Sequence, residues 1–208
     1  MKLAKATAIA EGIVNLLRPT CMKAEVAGSI RRQKPEVKDI EIICQPILTE
    51  SQIGSIDMFS NGPDVPMRLP VEFDEMLWKM RYGRILEYDR HLRRDGARYK
   101  RFIIHPDSAD HIALDLFIAD EGNYGNTLAL RTGNQEFSKA LVTARRAGGL
   151  MPGHLQQKDG YLWYGADRID CLTEESYFTH LGIEWTDPRF RTADVVKDLI
   201  RHSVGGVV

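Results

Sequence analysis

Asp39 and Glu41 lie two apart in the run KDIEIIC (38–44), which alternates polar and apolar residues over its first half and so reads as a strand. Side chains two apart on a strand share a face. The two carboxylates therefore stand together while Ile40 and Ile42 enter the core. Neighbouring carboxylates repel one another unless a cation or a proton sits between them, and hard oxygen donors of this kind suit Mg²⁺. A lone acid-x-acid is far more often a solvated strand face, so the pair acquires meaning only from its surroundings.

Ten residues upstream, Gly28-Ser29-Ile30-Arg31-Arg32 follows a strand-like run, Met22 to Ala27, and breaks it. Glycine lets the backbone approach an anion closely, Ser29 and its amide can donate to a phosphate oxygen, and the two arginines supply charged forks. Phosphate donors one strand away from metal ligands are what phosphoryl transfer requires. The third element is Asp115 in HIALDLFIAD (111–120). Ile112, Leu114, Leu116 and Ile118 alternate to one face there, and Asp115 and Phe117 take the other. An acid inside an apolar strand is costly to bury alone. Asp115 is therefore paired with an arginine or lysine, exposed on an open face, or a metal ligand. With Asp39 and Glu41 on a neighbouring strand, a three-carboxylate, two-metal site is the best single account.

The elements that must hold these residues follow from periodicity and turn chemistry. Ala6, Ile9, Ala10, Ile13, Leu16 and Leu17 predict a helix over 3–18, closed by Pro19. Residues 46–72, with Pro46, Pro63, Pro66 and Pro70, predict a long irregular insertion. A short helix at 73–81 precedes strand-like runs at 84–92, 99–105 and 111–118, separated by the turn compositions RRDGA and PDSAD. Beyond Gly122, Thr132-Gly133 leads into a helix at about 134–147 ended by Gly148-Gly149. The pair 153–158 and 161–165 flanks Asp159-Gly160 as a hairpin, and Thr173 caps a helix running to Gly182. Val195, Val196, Leu199 and Ile200 mark a last amphipathic stretch. Helices mixed with consecutive hairpins predict an α+β chain in two lobes, 1–122 and 123–208.

Composition narrows the field. A chain of 208 residues with 43% hydrophobic and 27% charged residues is not globally disordered, collagenous or coiled-coil. Its 28 basic and 29 acidic residues leave a net charge of −1, which excludes a uniformly basic nucleic-acid coat protein but not local basic patches. No apolar run approaches the ~20 residues of a membrane span. Glu11 and Gly12 interrupt the opening MKLAKATAIAEGIV, which fits an amphipathic helix better than a signal peptide. Cys21, Cys44 and Cys171 are three, far apart and without Cys/His clustering. They argue against a disulfide scaffold or a zinc site and for a reducing, cytoplasmic setting.

In order along the chain, VAGSIRRQKPEVKDIEII, IALDLFIAD and LRTGNQEFSKAL resemble the family X DNA polymerases of the polymerase beta nucleotidyltransferase superfamily. The likeness is greatest to the short polymerase-beta-like nucleotidyltransferases of phage and bacterial genomes. It covers about 2–190 and implies a catalytic palm followed by a small nucleotide-closing lobe, without the N-terminal lyase domain of larger members. It further implies that Asp39, Glu41 and Asp115 hold two Mg²⁺ ions, with Mn²⁺ able to substitute, and that Asp115 lies nearest the attacking primer 3′-hydroxyl. Gly28, Ser29 and Arg32 would grip the β- and γ-phosphates, with Arg31 a weaker partner. Thr132-Gly133 would lie against the nucleotide sugar, Gln135 would face the incoming base, and a cis Gly133–Asn134 peptide would turn the chain beneath the sugar. The sequence departs from the family at several places. Glu41 replaces an aspartate, Leu130-Arg131 replaces an aromatic pair beside the sugar, and Ser138 and Val142 replace template contacts. Ala113 stands where an arginine normally steadies the third aspartate.

Residues 79–101 carry Lys79, Arg81, Arg84, Arg90, Arg93, Arg94, Arg98, Lys100 and Arg101 against Glu87, Asp89 and Asp95, a local charge of +6. Such a patch can bind a DNA backbone or be merely solvated; beside a polymerase-like site, Arg93, Arg94, Arg98, Lys100 and Arg101 become DNA-binding candidates. The leading expectation is a metal-dependent enzyme that adds dNMP from dNTP to a DNA 3′ end. Its partners would be a nucleoside triphosphate and primed or gapped DNA, and it would be a monomer without a membrane. The competing expectations are nucleotidyl transfer to RNA or to a protein or small-molecule hydroxyl, and a non-catalytic DNA-binding module.

Overall fold

Helix α1 (Leu3–Leu17) forms because Ala6, Ala10, Ile13, Val14 and Leu17 recur at helical spacing, and all five are buried. It ends in a 3₁₀ turn, Arg18–Thr20, that contains Pro19. The computed structural model describes residues 1–51, 67–89, 91–92, 94–105, 108–109 and 111–204. After α1 come β1 (Cys21–Val26), a single helical turn α2 (Gly28–Arg31), β2 (Asp39–Pro46), β3 (Thr49–Ser51) and β4 (Met67–Leu69). Then follow α3 (Val71–Tyr82), β5 (Leu86–Tyr88), β6 (Tyr99–Ile104) and β7 (Ile112–Ile118).

Five of these strands make one sheet in the order β1-β2-β7-β6-β5. Within it β2 and β7 run parallel and the other pairs antiparallel. Parallel neighbours need a long crossover, which here is the stretch through α3, β5 and β6. One face of the sheet is a continuous apolar core: Ile40, Ile42, Leu114 and Leu116 meet α1 and, from α3, Phe73, Leu77 and Met80. The opposite face carries Ile43 and Phe117 in a smaller cluster with Tyr124 and Leu128, and beside that cluster lie the carboxylates.

The remaining elements are α4 (Tyr124–Thr132), α5 (Gln135–Val142), a three-stranded sheet of β8 (Leu155–Lys158), β9 (Tyr161–Tyr164) and β10 (Asp167–Ile169), then α6 (Glu174–Leu181) and α7 (Ala193–Val204). They enclose a second core around Phe137, Leu141, Leu150, Leu162, Tyr177 and Phe178. The chain is α+β with a mixed sheet. No described helix is long and apolar enough to cross a membrane. All three cysteines are free and buried.

Several expectations change. The insertion at 46–72 has strand structure at both described flanks, β3 pairing with β4, while its centre lies outside the described residues. The strand expected over 84–92 shrinks to Leu86–Tyr88, because Asp89 Oδ1 accepts from the amides of His91 and Leu92 and turns the chain. The helix expected over 134–147 stops at Val142: Gly149 folds back against the Thr143 carbonyl, leaving no room for a side chain. Helix α4 is buried over most of its length, including at Gly125 and Asn126. A Cβ at Gly125 would collide with the Thr173 carbonyl, so a poor helix former is needed there for packing.

Candidate active site

Glu41 on β2 lies opposite Asp115 on β7, and Asp39 lies opposite Ala113. Partners in register point to the same side of a sheet, so the three carboxylates share one face, as alternation along each strand requires. Gly28 closes that face from α2. Its φ of +60° and the collision that a Cβ would make with the Glu41 carboxylate both demand glycine. Next to it, Ser29 Oγ is buried without a hydrogen-bond partner. An orphaned hydroxyl costs about 1–3 kcal/mol, a deficit that a bound acceptor would remove.

The electrostatics are strained in the same direction. Burial first, then the charges of Asp39 and Asp115, push the Glu41 carboxyl up to about 7, with Arg32 and Arg131 pulling the other way. Such a cluster calls for a cation or a proton. Its donors are hard oxygens, which fit Mg²⁺. Among the described residues, no three His, Cys, Asp or Glu side chains stand as a ready-made metal cage. One reason is visible at Asp115, whose Oδ1 accepts from Arg101 Nη1 at 2.5 Å and from the Tyr99 hydroxyl at 2.7 Å. Asp115 is paired with an arginine, as its place in an apolar strand allows, and is only 8% exposed.

The two arginines after Ser29 are committed to the chain itself. Arg31 donates to Thr132 Oγ1 at 2.7 Å and grips Glu174 with both terminal nitrogens, at 2.8 and 2.9 Å. Glu174, 2% exposed, is also paired with Arg191 at 2.8 Å and accepts from Trp185 Nε1 at 2.7 Å. Burial pushes its carboxyl up, but Arg31 and Arg191 together hold it below the usual carboxylate range. Arg32 donates through Nη1 to the carbonyls of Thr132 and Gly133, while its Nε is buried without a partner. The expected phosphate loop and the expected sugar segment thus touch each other directly. Nothing in the sequence spacing pointed to Glu174, Trp185 or Arg191.

No protein-family model matches the chain, and no curated protein matches it.

Around 130–135 the geometry differs from expectation. The Gly133–Asn134 peptide is trans. Helix α4 ends at Thr132, Gly133 packs against Ser138, and Asn134 Oδ1 caps α5 by accepting from the Phe137 amide, so the reversal is made by a helix-to-helix junction. The Leu130 carbonyl accepts from Ser138 Oγ at 2.6 Å. Arg131 is exposed and lies over the Phe117 ring, 4.1 Å from its centroid, and Gln135 is exposed at the start of α5.

The basic segment is less free than its charge indicates. Lys100 is paired with Asp95 at 2.8 Å, Arg101 with Asp89 and Asp115, and Arg98 donates to the Asp159 carbonyl. Arg94 is exposed, and Arg93 lies outside the described residues. A cleft of about 640 Å³ lies between α3 and β5, lined in part by Asp89 and bordered by the stacked, exposed pair Trp78 and Tyr82.

Proposed function

We propose that the chain is a nucleotidyltransferase of the polymerase beta kind, transferring a nucleoside monophosphate from a triphosphate to a 3′-hydroxyl of DNA. The observation that carries this reading is the register of Glu41 opposite Asp115 with Asp39 on the same face, closed by Gly28 and the unpartnered Ser29 hydroxyl.

Asp39, Glu41 and Asp115 would hold Mg²⁺, which when bound neutralises the triphosphate and lowers the pKa of the attacking hydroxyl. Asp115 accepts the proton of that hydroxyl as its oxygen bonds to the α-phosphorus. The bond from the α-phosphorus to the bridging oxygen breaks, and pyrophosphate leaves with the electron pair. Ser29 donates its hydroxyl to a phosphate oxygen, and the missing side chain at Gly28 leaves room for the Glu41 carboxylate.

The acceptor has a second candidate class, an RNA, protein or small-molecule hydroxyl. The internal pairing of Lys100 and Arg101 favours the protein or small-molecule acceptors of that class, because side chains already neutralised by Asp95, Asp89 and Asp115 displace few counterions from a nucleic-acid backbone.

The deciding experiment is incubation with labelled dNTPs or rNTPs, Mg²⁺ or Mn²⁺, and single-stranded, primed, gapped and RNA acceptors. Label transferred to a DNA 3′ end, with pyrophosphate released and loss of transfer in Asp39→Ala, Glu41→Ala and Asp115→Ala, is the expected result. Transfer at the wild-type rate by Asp115→Ala would end the reading.

A further inference from the structure

Asp115 is held by a chain of bonds that starts just beyond β5, at the edge of the sheet. The amides of His91 and Leu92 donate to Asp89 Oδ1, at 2.9 and 3.1 Å. Asp89 Oδ2 accepts from Arg101 Nε at 3.0 Å, and Arg101 Nη1 donates to Asp115 Oδ1 at 2.5 Å. The Tyr99 hydroxyl reaches the same Oδ1 at 2.7 Å, while its ring stacks on Phe117 with centroids 5.0 Å apart. Arg101 and Tyr99 stand opposite Asp115 and Phe117 in the β6–β7 ladder, so their placement is set by backbone pairing as well as by side chains.

Both donors take one oxygen. Among the described residues, Oδ2 of Asp115 accepts no hydrogen bond. A carboxylate anchored on one oxygen keeps a fixed plane and offers the other oxygen to the reaction. Simple neutralisation of a buried charge would need only a nearby cation. The fork of Arg101, gripped at Nε and Nη1 by two different acids, does more by fixing direction.

We infer that Arg101, assisted by Tyr99, is the positioning residue for Asp115, supplied from the neighbouring strand while position 113 of β7 itself is alanine. This inference rests on the proposed nucleotidyl transfer for its kinetic consequence, but its effect on the carboxylate is independent of turnover. A reacting group displaced by about 1 Å loses on the order of 100-fold in rate.

The test uses the full chain with Arg101→Lys, which keeps the charge and loses the fork, and Tyr99→Phe, which keeps the arginine pair and loses one hydrogen bond. Arg101→Lys is expected to lower kcat about 10- to 100-fold with nucleotide KM within about threefold. Tyr99→Phe should lower kcat about threefold to tenfold. Mn²⁺ titration followed by electron paramagnetic resonance reads the carboxylates without turnover and should show weaker binding in Arg101→Lys at unchanged circular dichroism. The double variant Arg101→Met/Ala113→Arg, which restores a guanidinium from β7, should recover part of the loss. If Arg101→Lys fails to fold, Tyr99→Phe carries the test alone, and wild-type kcat and Mn²⁺ affinity in it overturn the inference. A wild-type protein that transfers no nucleotide sinks the proposed function; the inference then stands or falls on whether Mn²⁺ affinity depends on Arg101. Unchanged kcat and Mn²⁺ affinity in Arg101→Lys overturn it outright.

Discussion

Gly28 and Glu41 occupy the same small space: the Cα of one lies where any added side chain would overlap the carboxylate of the other. The positive φ at Gly28 compounds the constraint. Gly28→Ala is expected to destabilise the fold by about 1–3 kcal/mol and to displace the Glu41 carboxylate. Thermal and urea unfolding check the first effect, and loss of nucleotide transfer beyond the unfolded fraction checks the second.

Glu41 makes metal-free stability depend on pH with a definite sign. Burial and its two acidic neighbours raise its folded-state value from 4.5 to about 7, so between those limits the folded protein binds a proton that the unfolded chain releases. Its contribution is therefore present below about 4.5 and is lost as pH rises toward 7 and above. Glu41→Gln should stabilise the metal-free protein by roughly 1–3 kcal/mol at pH 8 and by little at pH 4. Urea midpoints at the two pH values decide it; equal effects at both would show that burial and the neighbouring acids do not raise the carboxyl.

Glu174 ties Arg31 of α2 to Arg191 and Trp185 near the end of the chain. Glu174→Ala leaves the buried Arg191 and the partly exposed Arg31 without their acid and is expected to cost about 3–5 kcal/mol, whereas Arg31→Ala leaves the acid two partners and costs about 1–3. A double-mutant cycle between Arg31 and Glu174 measures the coupling. A coupling near zero would mean that the network is ornamental.

Leu130 lacks the rigid edge of an aromatic ring, and its carbonyl is already held by Ser138. On the proposed function, deoxynucleotides should be preferred to ribonucleotides only modestly, on the order of 10- to 100-fold. Single-turnover rates with matched pairs measure the ratio. Ser138→Ala, which releases the carbonyl, should change that ratio more than it changes the rate with deoxynucleotides.

For a DNA acceptor, the free and the paired bases separate cleanly. Arg94→Ala should reduce the slope of log affinity against log salt by about 0.9, and Lys100→Ala, whose charge Asp95 already answers, should leave the slope almost unchanged. Filter binding across a salt series distinguishes them.

Local pattern was sufficient for the strand carrying Asp39 and Glu41, for the face that Asp115 takes, and for the Thr173 cap, where Ser176 completes a reciprocal pair of bonds. These rest on alternation and capping, which act over a few residues. Even the pairing of Arg101 with Asp115 was within reach, since a hairpin folding about residue 108 sets 101 opposite 115. Helix α4 was not legible, because Gly125 and Asn126, poor helix formers, stand buried in its first turn and read locally as turn residues. Nor was the fate of Arg31 and Arg32: the same side chains that could grip a phosphate are held by Glu174, 143 residues away from Arg31, and by the Thr132 and Gly133 carbonyls. Residue type establishes what a guanidinium can bind. Which partner it takes depends on long-range packing, because the acid that wins is brought near only when α6 docks beside α4 and its charge is taken out of water.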